Sequence, residues 1–140
     1  MTRCHRQRAA ALVEFALAWP ITLLLVLGAV ESAVWAAEAY AARAASLAGA
    51  RAGSVAGGTP TVASDVALRV LSASLVGAHP RAWCPDRLTA PPTVWVCAID
   101  LGSAMEVDVG GTAPALVPLV AGGGVPIDVH VVLQKEVFGP

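Results

Sequence analysis

Glu14 is the residue of this chain whose surroundings most need a chemical explanation. It is the only charged side chain between residues 9 and 30, a run rich in alanine, leucine and valine. About 20 apolar residues suffice to cross a bilayer, and an unpaired carboxylate in the hydrocarbon costs roughly 3 kcal/mol. We therefore expect a membrane helix in which Glu14 has an ionic or hydrogen-bonding partner. The alternative is an edge position, six residues after Arg8, from which Glu14 reaches the lipid headgroups.

The three cysteines are divided by this apolar run, with Cys4 before it and Cys84 and Cys97 after it. The first eight residues contain three arginines and no acid, and basic flanks of a membrane helix stay in the cytoplasm. Everything after about residue 31 is then outside, where disulfides persist. This topology favours a bridge between Cys84 and Cys97 and a free thiol at Cys4. The alternative is that Cys84 and Cys97 are two small buried thiols.

The other reactive groups form no recognisable catalytic or metal-binding pattern. The three histidines are scattered over the basic leader, a loop and a strand: His5, His79 and His130. Four carboxylates fall in or beside β-type segments, where alternation places most of them on a solvated face: Asp100, Glu106, Asp108 and Asp128. No Cys and His spacing is typical of a metal site, and no basic patch indicates nucleic-acid binding. We expect neither an enzyme nor a cofactor-binding or metal-binding protein.

The membrane segment continues into a longer helix. Charged residues make up 14% of the 140 residues, against about 25% in an ordinary soluble domain, which suits a membrane-attached protein. The chain stays alanine-rich after Glu31 and has no glycine from there until Gly49. Alanine is the best helix former, so we predict one helix over residues 9–52, membrane-spanning to about residue 30, after a leader at 1–8. Pro20 lies inside it and predicts a kink.

The remainder predicts a small α+β head at residues 62–140, after a glycine-rich joint at 53–61. Thr59-Pro60 is typical of a helix start, and Val62, Val66 and Val70, with Leu71 and Leu75, recur at helical spacing as an apolar stripe. The proline-rich stretch 79–92 is interpreted as a loop. Three β-type segments follow, at 93–101, 105–109 and 127–131. We therefore predict a second helix packed on a short antiparallel sheet of about three strands.

Residues 8–17 resemble the N-terminus of TadE-like proteins, the pilin-like components of bacterial tight-adherence (Flp) pilus systems. The sequence here is RAAALVEFAL. The usual pattern is a basic residue, a glycine, a few small or apolar residues, and then Glu-Phe-Ala inside the membrane helix. Gly28-Ala29-Val30-Glu31 and the alanine-rich continuation to Arg51 also resemble the family. Ala9 stands where that family usually has glycine.

The resemblance implies a single-pass membrane protein with a cytoplasmic N-terminus, an extracytoplasmic head and no catalytic role. It would be a minor pilin or pseudopilin-like subunit whose partners are other pilin-like subunits and the proteins of a pilus assembly platform. In pilin-like chains a prepilin peptidase cuts after the small residue five positions before the glutamate. Here the junction would lie between Ala9 and Ala10, and a freed amine at Ala10 would be a natural partner for Glu14 in low dielectric.

The alternative function is a secreted small binding module whose N-terminus is a cleaved signal peptide. The leader is basic, and Ala33, Ala36 and Ala37 offer small residues for cleavage. Against this, the apolar run is longer than the usual core of about 7–15 residues. It also contains a carboxylate and an early proline, and it runs on into helical sequence.

Overall fold

The structure, a computed structural model, describes residues 3–75, 78–86, 88–114 and 124–136. The elements in chain order are α1 (Arg3–Ser54), α2 (Pro60–Ser74), β1 (Arg81–Ala82), β2 (Val94–Asp100), β3 (Ala104–Pro114) and β4 (Gly124–Gln134). The chain forms two compact units, Met1–Val34 and Trp35–Pro140. The predicted α+β class with a long apolar N-terminal helix is confirmed.

Helix α1 is 52 residues long and contains Pro20, with helical backbone on both sides of it. Its residues are mostly alanine, leucine and other good helix formers. At its C-terminal end the Ser54 hydroxyl donates a hydrogen bond to the Arg51 carbonyl at 3.1 Å. The chain then turns through Gly57, whose φ of +79° suits glycine.

Helix α2 begins as the sequence predicts. Thr59 is its N-cap and accepts a hydrogen bond from the Val62 backbone N–H, and Pro60 occupies the first helical position. The predicted apolar stripe is correct in part: Leu71 and Leu75 are buried, but Val62 is 45% exposed. In the first turns of the helix the buried residues are Ala63 and Ala67 instead of the valines.

Close contact between the two helices explains why the small residues are buried. A Cβ atom added at Gly49 of α1 would be 2.9 Å from the Ala67 Cβ. A Cβ added at Gly53 would be 2.9 Å from the Ala63 Cβ and 2.8 Å from the Met105 Cγ. Only residues without bulk fit at this contact, so the alanines of α2 face α1.

The sheet has four strands in the order β1-β2-β3-β4, and it is mixed. The β2–β3 and β3–β4 pairs are antiparallel, whereas β1 pairs with β2 in parallel. The predicted antiparallel sheet of about three strands is therefore corrected to four strands. The strand that the sequence did not predict is β1, Arg81–Ala82. It is too short to show an alternation of apolar and polar residues, and it lies in the stretch interpreted as a loop.

One face of the sheet forms the core of the head, and the other carries polar groups. Val96 of β2 pairs with Val109 of β3, and Val107 pairs with Val131 of β4. These side chains pack in one hydrophobic cluster with Leu71 and its neighbours on the helices. Alternation along the strands places Glu106, Asp108 and His130 on the opposite face.

Candidate functional site

The most extended exposed apolar surface among the described residues lies on α1. Its exposed large apolar side chains before residue 35 are Val13, Phe15, Leu17, Trp19, Ile21, Leu23, Leu24, Leu25, Val26 and Val30. Within the described part of the chain, one helix is long and apolar enough to cross a membrane, judged by length and composition. None of its apolar membrane-length stretch is buried in the protein. A signal sequence near an N-terminus meets the same criterion.

Glu14 lies in this exposed stretch, and no described side chain forms an ion pair with it. Phe15 and Trp19, one helical turn apart, stack with ring centroids 6.1 Å apart. Ala9 and Ala10, the predicted cleavage junction, lie in the helical backbone of α1. The pairing of Glu14, the kink at Pro20 and the cleavage remain predictions.

The hydroxyl groups of this segment are satisfied within the helix itself. Thr22 donates its hydroxyl hydrogen to the Ala18 carbonyl at 2.9 Å. Ser32 does the same to the Gly28 carbonyl at 2.8 Å. Polar groups in hydrocarbon need such internal partners because no water is available there. Neither hydroxyl would therefore oppose insertion of α1 into a bilayer.

After Val34, α1 changes from an exposed apolar helix to one that carries exposed aromatic residues and then buried small residues. Trp35 and Tyr40 are exposed aromatic residues, and Tyr40 is 76% exposed. Glu38, in contrast, is buried and has an interaction of its own. From Ala41 onward the helix supplies buried small residues, among them Ala42 and Ala45, to the core of the head. Tryptophan and tyrosine are enriched where a membrane helix leaves the bilayer.

The predicted disulfide between Cys84 and Cys97 is confirmed, with Cα atoms 4.8 Å apart. Cys97 is buried on β2, and Cys84 follows β1, so the bridge ties the two-residue strand to the sheet. Trp83 lies beside it, edge-on to Trp95 with ring centroids 5.4 Å apart. The Trp83 indole N–H is hydrogen-bonded to the Thr89 hydroxyl at 3.0 Å. These two tryptophans therefore belong to the packing around the bridge.

Three side chains that can bind metal ions, two from β3 and one from β4, lie together on the outer face of the sheet. The Nδ1 atom of His130 is 2.6 Å from the Asp108 Oδ1 and 3.5 Å from the Glu106 Oε1. The hydrogen bond with Asp108 raises the pKa of His130 above its ordinary value, and the charges of Asp108, Glu106 and Asp128 act in the same direction. All three ligand-type atoms lie within 4.8 Å of one another, which is close enough to hold a metal ion.

Sequence reasoning missed this cluster, although it placed the carboxylates correctly on a solvated face. The partners are 22 residues apart, and only the register of β3 on β4 brings His130 opposite Asp108. The signal that the sequence offered was the alternation of apolar and polar residues in both β-type segments. Alternation predicts which side chains share a face of the sheet, but without the register it does not predict which of them are in contact.

An ion pair joins the last residue of β2 to the residue that follows β4. Lys135 Nζ is 2.6 Å from the Asp100 Oδ2, and the Gly102 backbone N–H donates to the Asp100 Oδ1 at 2.8 Å. The hydrogen bond from Lys135 lowers the pKa of Asp100, and that from Gly102 adds to the effect. The pair thus links the β2–β3 turn to the end of β4.

The fold and these features define a class: an α+β protein whose long first helix is apolar enough for a membrane and whose head contains a disulfide. No protein-family model matches the chain, and neither any curated protein nor any solved structure shows significant similarity to it.

Proposed function

We propose that this protein is a structural subunit of a tight-adherence type pilus or a related secretion system, a membrane-anchored minor pilin or pseudopilin-like protein of the TadE-like kind. The observation that carries the proposal is the division of α1 into an exposed apolar part and a part that packs in the head. Its first part is a continuous apolar helix with one early carboxylate and no buried residue in its membrane-length stretch, and its last part supplies core residues of the head. Such a helix can anchor the head and pack against neighbouring helices.

The proposed mechanism is lateral packing of α1 in the membrane. A carboxylate in low dielectric is stabilised only by a well-placed cation or hydrogen-bond donor. Glu14 would therefore favour the one register that brings it to the amine or guanidinium of a neighbour. If a prepilin peptidase cuts between Ala9 and Ala10, the new amine supplies that cation. Without cleavage, an arginine of the leader or of another subunit takes its place.

The proposed topology has the N-terminus in the cytoplasm and the head outside. The three arginines before the apolar segment support this orientation, and the disulfide of the head suits an oxidising compartment. The proposed role is non-catalytic, and the partners are other pilin-like subunits and assembly-platform proteins.

The alternative, a secreted binding module, draws support from the position of the apolar helix near the N-terminus, where a signal sequence would lie. Cleavage at the small residues Ala33, Ala36 or Ala37 would cut α1 in mid-helix. The exposed anchor would be lost, and the mature chain would begin beside buried Glu38. This argues for the anchored form.

Site-specific photo-crosslinking in intact cells that carry the native partners tests the proposal. A photoreactive amino acid at exposed Leu17 should give adducts with other membrane subunits, and one at exposed Val62 serves as the head control. The intact mass of the purified chain should correspond to a chain that begins at Met1 or at Ala10. A mature start beyond residue 33, or the absence of any protein adduct at Leu17, would refute the proposal.

A further inference from the structure

The outer face of the sheet brings together three metal-ligating side chains from two adjacent strands. Glu106 and Asp108 are two residues apart on β3, so both point to the same side of the sheet. His130 of β4 lies directly opposite Asp108 in the register. The cluster stands on strand residues rather than on a loop, and β3 is held between two neighbouring strands.

We propose that Glu106, Asp108 and His130 bind a divalent transition-metal ion of the Zn²⁺ class on the outer face of β3 and β4. Zinc takes imidazole nitrogen and carboxylate oxygen at about 2.0–2.2 Å, so neighbouring ligand atoms of a tetrahedral site lie about 3.3 Å apart. The His130 Nδ1 to Glu106 Oε1 distance of 3.5 Å already fits this spacing.

A small rotation of His130 adjusts its distance to Asp108. The 2.6 Å contact between His130 Nδ1 and Asp108 Oδ1 has to open by about 0.7 Å to reach the tetrahedral spacing. The His130 side chain is 58% exposed, so it can rotate without disturbing the core. The hydrogen bond with Asp108 keeps the imidazole turned toward both carboxylates.

The composition of the cluster selects the class of metal. Imidazole suits zinc, copper and nickel, whereas magnesium and calcium prefer oxygen ligands alone. Asp128 lies two residue pairs further along the sheet, opposite Gly110, and adds negative charge that favours any cation. Three protein ligands leave a fourth position open for water or for a group from another molecule.

Titration calorimetry of the full chain in detergent tests the site. The protein carries no affinity tag and contains Cys4→Ser and His5→Asn, so that the leader offers no competing ligands. It is kept oxidised, so that Cys84 and Cys97 offer no thiolate. We expect one Zn²⁺ per chain, weaker binding by at least about tenfold in His130→Asn and in Glu106→Gln, and unchanged binding in His79→Asn.

Three results would overturn the proposal. The first is the absence of Zn²⁺ binding to the parent protein. The second is binding that survives His130→Asn in a variant whose circular dichroism is unchanged, since that places the ion elsewhere. The third is equal affinity for Ca²⁺, Mg²⁺ and Zn²⁺ together with insensitivity to His130→Asn, which would indicate a diffuse acidic patch. The test is independent of the pilus proposal, because it concerns the head in any cellular setting.

Discussion

Gly49 of α1 lies so close to Ala63 of α2 that a Cβ atom added to the glycine would be 2.6 Å from the Ala63 carbonyl oxygen. The obstacle is backbone, which cannot rotate away as a side chain can. The contact sets how closely the two helices approach, and it therefore sets which face of α2 is buried.

Gly49→Ala should lower the stability of the head by about 1–3 kcal/mol, because overpacking forces the helices apart. The gain in helix propensity, about 1 kcal/mol, is too small to offset a clash of this kind. Gly28→Ala is the matched control on the same helix, since nothing lies within 4 Å of its added Cβ. Guanidinium unfolding of the full chain, followed by near-ultraviolet circular dichroism, compares the two. Equal midpoints for Gly49→Ala and the parent would contradict the packing argument.

The disulfide gives a second prediction. Replacing both Cys84 and Cys97 by serine should lower the free energy of unfolding by about 3 kcal/mol, the value expected for a closed loop of this length. In the parent, alkylation of the denatured, non-reduced protein should label Cys4 alone, as read from the intact mass. Labelling of all three cysteines before reduction would mean that the bridge does not form in the cell.

The ion pair of Asp100 and Lys135 predicts a pH dependence. The pKa of Asp100 is lower in the folded protein than in the unfolded chain, so the unfolded state binds the proton more tightly. The resulting stabilisation is present above the ordinary aspartate pKa and is lost as the pH falls below about 4 toward the folded value. Asp100→Asn should therefore flatten the acid side of the stability profile. Asp65→Asn, at an exposed position of α2, should leave it unchanged.

The outcome for α2 shows which part of the fold the sequence could predict. Thr59 and Pro60 identified its start because capping is a local interaction. The burial of Leu71 and Leu75 was predicted correctly, but in the first turns Ala63 and Ala67 are buried instead of the valines. The small residues Ala63 and Ala67 are buried because Gly49 and Gly53 of another helix meet them. Nothing within α2 encodes that neighbour.

The same limit applies to the functional surfaces. The Cys84–Cys97 bridge was predictable because these are the two cysteines on one side of the apolar segment, whereas the role of Glu14 stays a prediction. The cluster of Glu106, Asp108 and His130 depends on strand register, and β1 depends on a two-residue pairing that has no period. Contacts of this kind can be predicted only when the pairing register of the strands is known.

Glu14→Gln provides the test of the proposed register role. Removing a charge from the apolar segment favours insertion, so the variant should remain in the membrane after high-salt and carbonate washing. Its assembly with partner subunits should weaken, because the cation that pairs with Glu14 is left alone in low dielectric at a cost of about 3–5 kcal/mol. Co-purification of partner subunits with the solubilised protein measures the loss.

Glu31→Gln is the control on the same helix. Glu31 lies near the outer end of the proposed span, where water is available, and it has an interaction of its own. Its replacement should therefore reduce co-purification far less than Glu14→Gln does. The decisive quantity is the ratio of co-purified partner between the two variants, because both remove one carboxylate from the same helix at different depths. If Glu14→Gln assembles as well as the parent, Glu14 does not set register, and its carboxylate reaches the headgroups from the edge of the bilayer.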